Sequence, residues 1–186
     1  MNEKIILIAP CEEYAEQIAE LKHNFMEHDP NIIGCGRLAE IEVAAWIKEC
    51  EEMQQGKNLP EDYVPATQFI AIRESDNKLI GVIQIRHKLN PPWDKIGGHV
   101  GYSVVPTEWN KGYGTEILRL SLDECHRLGM SKIYLTCLKS NTSSAKVIEN
   151  NGGIFEGEHI TSSDGPFCAR NAGELLHRYY IIIEEK

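Results

Sequence analysis

The apolar run Ile5 to Ile8, closed by Pro10, predicts a first strand. Apolar residues then recur at spacings of three and four. Ile18, Leu21 and Phe25 stand among Glu16, Glu20 and Lys22 and predict an amphipathic helix; Ile41, Ala44, Ala45 and Cys50, near Trp46, predict a second. The segment D-P-N-I-I-G-C-G-R between them reads as a loop, as does 55–66 with Gly56, Pro60 and Pro65. From Thr67 the chain favours strands, over 68–73, 78–87 and 98–105, and the turn E-S-D-N-K joins the first two as a hairpin. A helix is predicted over about 112–128, with Ile117, Leu118, Leu122, Cys125 and Leu128 on one face and Arg119, Asp123 and Arg127 opposite, before Gly129 stops it. A strand over 133–138 follows, and the order strand, helix, strand implies a right-handed parallel crossover. The stretch S-N-T-S-S-A-K-V-I-E-N-N-G-G reads as a short helix capped by Ser140 or Asn141 and ended by Gly152. Strands over 154–160 and 175–183 complete an α+β arrangement of about seven strands in a mixed sheet flanked by about four helices, expected to form one domain over 1–186.

Charge narrows the function classes. The net charge of −9 sits entirely in residues 1–66, where 5 Lys+Arg face 14 Asp+Glu; the rest of the chain carries 14 against 14. No basic stripe is present to bind a nucleic-acid backbone, so that partner is not expected. The excess acidity serves solubility or attracts a cationic ligand. No apolar run approaches the roughly 20 residues that span a bilayer, and the Met-Asn-Glu-Lys start lacks the form of a secretory leader, so a cytoplasmic protein without membrane contact is expected. The six cysteines include no C-x-x-C pair, and neither a metal nor a disulfide framework is expected.

The chemistry concentrates in P-T-E-W-N-K-G-Y-G-T, residues 106–115, at the mouth of the longest predicted helix. A helix start offers unpaired N–H groups and about half a positive charge, a seat for phosphate. Gly112 and Gly114 lack the Cβ atoms that would hold an anion away, Lys111 adds a charge and Thr115 a hydroxyl. The same glycines could equally serve only to make the turn. A P-loop is excluded because G-x-x-x-x-G-K-[ST] does not occur, and a dinucleotide fold because Ile117 stands where its third glycine would be.

The string G-G-H-V-G-Y-S-V-V-P-T-E-W-N-K-G-Y-G-T-E-I-L, with K-I-Y-L-T-C-L-K-S-N-T-S-S-A-K-V-I-E-N-N-G-G after it, resembles the GNAT-type N-acetyltransferase superfamily. The resemblance is firm over about 67–155. Within the superfamily, I-R-H-K-L-N and G-G-H-V-G-Y are similar to a bacterial branch of uncharacterised acetyltransferases. It implies the GNAT acyl-CoA N-acyltransferase fold and acetyl-CoA as co-substrate. The backbone of Val104 and Val105 would pair with the pantetheine arm, Lys111, Gly112, Tyr113, Gly114 and Thr115 would take the pyrophosphate, and Asn141 would bond the pantetheine with Ser144 and Lys146 nearby. Two positions depart from the pattern: Trp109 replaces the usual Arg or Gln, and Ile148 stands where many members carry a proton-donating tyrosine. Relatives are often homodimers.

Acetyl transfer needs a neutral amine, a polarised thioester and a leaving thiolate. His99, between glycines on the strand leading to the thioester, is the candidate base; a histidine bonded within the sheet is the competing reading. Tyr102 is a second polar group on that strand, or ordinary packing, and Tyr134 a displaced acid or core. Arg86, His87 and Asn90 are candidates to line the acceptor pocket, Arg86 suiting a carboxylate. The expected function is acetylation of a primary amine on a small molecule or protein by direct attack; the alternative is a non-catalytic acyl-CoA sensor.

Overall fold

The computed structural model describes residues 3–28, 33–61, 63–91, 94, 97–160 and 173–183. Strand β1 (Ile5–Ile8) is followed by helices α1 (Ala15–His28) and α2 (Val43–Gln54), then by β2 (Ala66–Arg73), β3 (Lys78–Arg86) and β4 (Val100–Val104). Helix α3 (Tyr113–Arg127), β5 (Lys132–Leu138), α4 (Thr142–Asn150), β6 (Ile154–Ile160) and β7 (Leu175–Ile182) complete the order.

The strands form two sheets, β1-β2-β3-β4 and β5-β7-β6, each antiparallel throughout. The expected parallel ladder between the strands flanking α3 does not occur among the described residues. Instead β4 and β5 adjoin through one bridge, Gly98 to Leu135. That approach requires glycine: φ is +67°, and a Cβ on Gly98 would lie 2.4 Å from the Tyr134 carbonyl oxygen.

Both faces of the first sheet are covered, which is why β3 is buried at seven consecutive positions and reads as a nearly continuous apolar run. On one face α1 and α2 supply Ile18, Leu21, Phe25, Trp46, Ile47 and Cys50 against Ile70, Ile72, Leu79 and Val82. On the other, Ile117, Leu118 and Cys125 of α3 and Ile148 of α4 pack on Ile83 and Ile85 and reach Ile133, Leu135 and Cys137 of the second sheet. Each such side chain contributes about 1.5–3 kcal/mol by leaving water. The face of α2 is rotated from its expected place: Ala44 and Ala45 are exposed, and Trp46, Ile47, Cys50 and Met53 are buried. Trp46 decides this, because its indole both fills the core and donates to the Cys35 carbonyl at 2.7 Å. Leu128, expected on the apolar face of α3, is exposed beyond the helix end.

Candidate active site

The site begins with the unpaired edge of β4. In an antiparallel ladder, alternate residues face one neighbour with both N–H and C=O. Arg86 N–H bonds His99 O at 2.7 Å and Val105 N–H bonds Ile80 O at 2.9 Å, so Gly101, Ser103 and Val105, with the carbonyl alone of His99, face β3. Val100, Tyr102 and Val104 therefore turn their N–H and C=O groups toward β5. There the His99 N–H bonds Tyr134 O at 2.7 Å, and beyond that point no ladder joins the strands among the described residues. The result is an opening between the sheets with main-chain donors and acceptors along one wall. Val105, expected with Val104 to meet a pantetheine arm, is committed to Ile80 and buried.

At the end of that wall lies the start of α3. Gly112 is its N-cap with φ +86°, a left-handed conformation that disfavours any side chain, and no side chain caps the helix. The Tyr113, Gly114 and Thr115 N–H groups have no intrahelical acceptor there. Gly114 has a packing reason as well, since a Cβ would lie 3.2 Å from Val147 Cγ2 of α4. Lys111 is not a lone charge: its Nζ bonds Glu108 Oε2 at 2.9 Å. Glu108, only 4% exposed, also receives Arg73 at 2.9 Å and Lys78 at 3.0 Å. Burial pushes this carboxyl up, but the bonds from Lys111, Lys78 and Arg73 outweigh it and hold it at about 2. The Tyr113 side chain turns into the same cluster, accepting from Arg73 at 3.0 Å and donating to Glu3, so only its backbone faces the helix start.

Across the opening, the Tyr102 phenol reaches from β4 to Ser144 of α4, O to O 3.0 Å. Burial raises the phenol well above its ordinary value and outweighs the Ser144 bond, so it remains a donor at neutral pH. Ser144 and Ile148 are four residues apart and share a face of α4; Ile148 is buried in the core. Nearby, burial raises the pKa of the Cys137 thiol to about 11. Asn141 uses Oδ1 to cap α4 through the Ser144 N–H at 3.0 Å, so that oxygen is already engaged. Lys146 is exposed one turn on.

His99 sits at the bridge between the sheets. Its Nδ1 accepts the Tyr134 N–H at 3.0 Å and its ring stacks on Tyr134, centroids 5.9 Å apart. Burial, then Arg86 and Arg178, lower its pKa to about 4. The neutral ring therefore carries its proton on Nε2, and it can accept another only by giving up the Tyr134 bond. Arg86 Nη1 donates to Gly98 O at 3.0 Å and stands within the field of Tyr63. His87 bonds Thr67 Oγ1 at 2.8 Å and feels Glu124 of α3, on the opposite face. Neighbours in an extended chain point opposite ways, so Arg86 and His87 do not line one pocket; Asn90 follows in a turn, accepting the Asp94 N–H at 3.1 Å.

Arg178 belongs to the site and was not visible in the sequence. Its guanidinium lies 4.2 Å from the Tyr134 ring centroid and 2.7 Å from Glu156. Nothing local marks it, because its place depends on β7 pairing with β5, where Thr136 opposes Arg178 and Tyr134 opposes Tyr180. Among the described residues no group of three metal-binding side chains occurs, and no helix is long and apolar enough to cross a membrane.

Residues 4–154 match the family model of the acetyltransferase (GNAT) domain. The chain therefore belongs to the GNAT acetyltransferase family. Among solved structures it is similar to the microcin C7 self-immunity acetyltransferase MccE in complex with acetyl-CoA and AMP, 16% identical with a TM-score of 0.71 over 98% of this chain and 94% of that one. It is similar to a ribosomal-protein-S5-alanine acetyltransferase from Vibrio fischeri, at 21% identity and TM-score 0.71 over 97% and 93%. A third is RimL, a ribosomal L7/L12 alpha-N-protein acetyltransferase in complex with coenzyme A, at 16% and 0.68 over 96% and 94%. No curated protein matches the chain by sequence.

Proposed function

We propose that this chain transfers the acetyl group of acetyl-CoA to a primary amine by direct attack in the opening between β4 and β5. The observation that carries the reading is the unpaired edge of β4, running straight into the uncapped start of α3. The Tyr102 and Val104 backbone would pair with the pantetheine arm as an added strand, and the N–H groups of residues 111–115 would take the pyrophosphate, with Asn141, Ser144 and Lys146 flanking. An N–H on that edge polarises the thioester carbonyl. The amine, arriving in its neutral form, forms a bond from nitrogen to the carbonyl carbon, the C–S bond breaks with its electron pair leaving on sulfur, and the proton that the nitrogen sheds passes to solvent, from which the thiolate is protonated. Tyr102, held by Ser144, donates a hydrogen bond to that sulfur in place of the absent helix tyrosine. The thiol of coenzyme A is a weak acid near 8.5 by analogy with cysteine, so this assistance need only be partial.

His99 supports the site rather than abstracting the amine proton, since its lone pair is engaged and its pKa is near 4. A covalent relay through Cys137 is disfavoured because a buried thiol near 11 is almost wholly protonated at neutral pH. The acceptor belongs to the primary amines of small molecules or proteins, a class to which the ribosomal-protein substrates named for two of the similar structures belong. Calorimetry with acetyl-CoA, followed by mass spectrometry on a panel of amines, tests the reading. Acetylated product is expected; tight binding with no transfer to any amine would leave only a coenzyme binder.

A further inference from the structure

Trp109 stands where the resembled motif has Arg or Gln, yet its side chain is not aimed at the pyrophosphate turn. The 3-10 turn Pro106–Glu108 reverses the chain, and the indole Nε1–H comes back to donate to Val104 O at 2.6 Å. That carbonyl is the last one β4 turns away from β3. The indole thus occupies the terminal acceptor of the open edge, and its ring is left 50% exposed at the mouth of the opening.

We propose that Trp109 is a displaceable cap. The unliganded chain satisfies the Val104 carbonyl with its own indole, and a pantetheine amide of the incoming acyl carrier takes that acceptor, releasing the ring to lie along the arm. This rests on the reading of the β4 edge as the coenzyme seat. The exchange replaces one neutral N–H···O bond by another, so its net cost is small, and covering an exposed indole adds to binding. The cap also has a use in the empty protein, because an unpaired strand edge is a template for another chain. A ligand with only the nucleotide part, such as 3′,5′-ADP, reaches the α3 start but offers no amide to Val104 and leaves the cap in place.

The test follows tryptophan emission and calorimetric affinity together for the wild type and Trp109→Phe, with coenzyme A and with 3′,5′-ADP. The variant supplies the signal of Trp46 and Trp93. Coenzyme A is expected to change the Trp109 emission with the calorimetric Kd, whereas 3′,5′-ADP binds without that change. Trp109→Phe, which keeps a ring but lacks the N–H, is expected to bind coenzyme A about 3- to 10-fold more tightly, with 3′,5′-ADP affinity unaltered. Heat of coenzyme A binding with unmoved emission, or a variant that binds coenzyme A no better, would overturn the cap while leaving the seat standing. No heat at all would overturn the seat itself. The wild-type comparison of the two ligands stands even should the variant misfold.

Discussion

At Tyr102 the chain places a phenol on β4 facing Ser144, on the face of α4 that also carries Ile148. Tyr102→Phe should lower kcat by about 10- to 100-fold, at or below the usual range for a proton-donating group, with little change in acetyl-CoA affinity. Equal losses of kcat and affinity would mean the ring only packs. His99→Gln should keep whatever neutral-range limb the pH profile of kcat/KM has, because a group near 4 does not titrate there. His99 instead shapes acid stability. Its folded pKa lies below the ordinary 6.5, so between about 6.5 and 4 the unfolded chain holds the extra proton. Its contribution is fully present above that window and is lost as pH falls through it; urea midpoints should drop less steeply with acid in His99→Gln than in the wild type. The sequence put His99 on the strand, whereas it lies one residue ahead of β4, and nothing local showed that Tyr134, far along the chain, would engage Nδ1. Trp109 was likewise marked as unusual without any signal that its partner is Val104.

Elements were legible where their cause is local. Helix α3 runs from Tyr113 to Arg127 much as its period and flanking glycines predict, and the hairpin of β2 and β3 turns through Asn77 at φ +54°. What could not be read was which strands share an edge, since that depends on packing between distant segments; the expected parallel ladder became a single bridge for that reason. The two glycines of α3 separate by experiment. Gly112→Ala meets no atom within 4 Å, so its penalty is conformational, about 1–2 kcal/mol. Gly114→Ala presses on Val147 instead, and Val147→Ala in the same chain should recover most of the lost melting temperature. Absence of that rescue would point away from the α3–α4 contact. Ahead of the helix, Glu108→Gln should destabilise by about 3 kcal/mol, because three cations lose a buried carboxylate.

For the whole molecule, the coenzyme would bridge two sheets that otherwise meet at Gly98 and Leu135. At acetyl-CoA 100 times its Kd the folded state should gain about 2.7 kcal/mol, raising Tm by roughly 5–10 °C in a chain of this size. A thermal scan showing no shift would count against the seat. On the other side of β4, the loop at 33–36 is fastened to the strand by close approach and by hydrogen bonds. A Cβ on Gly34 would lie 2.1 Å from Gly101 O, Ser103 Oγ bonds both main-chain groups of Ile33, and Gln68 holds Gly34 O at 2.8 Å. For anyone wishing to redirect this protein to new amines by laboratory evolution, that fastening sets the design of the library. Randomising 33–36 would disturb that fastening, whereas diversity at Tyr134 and Arg178 changes the His99 end of the opening from strands whose pairing does not depend on those side chains.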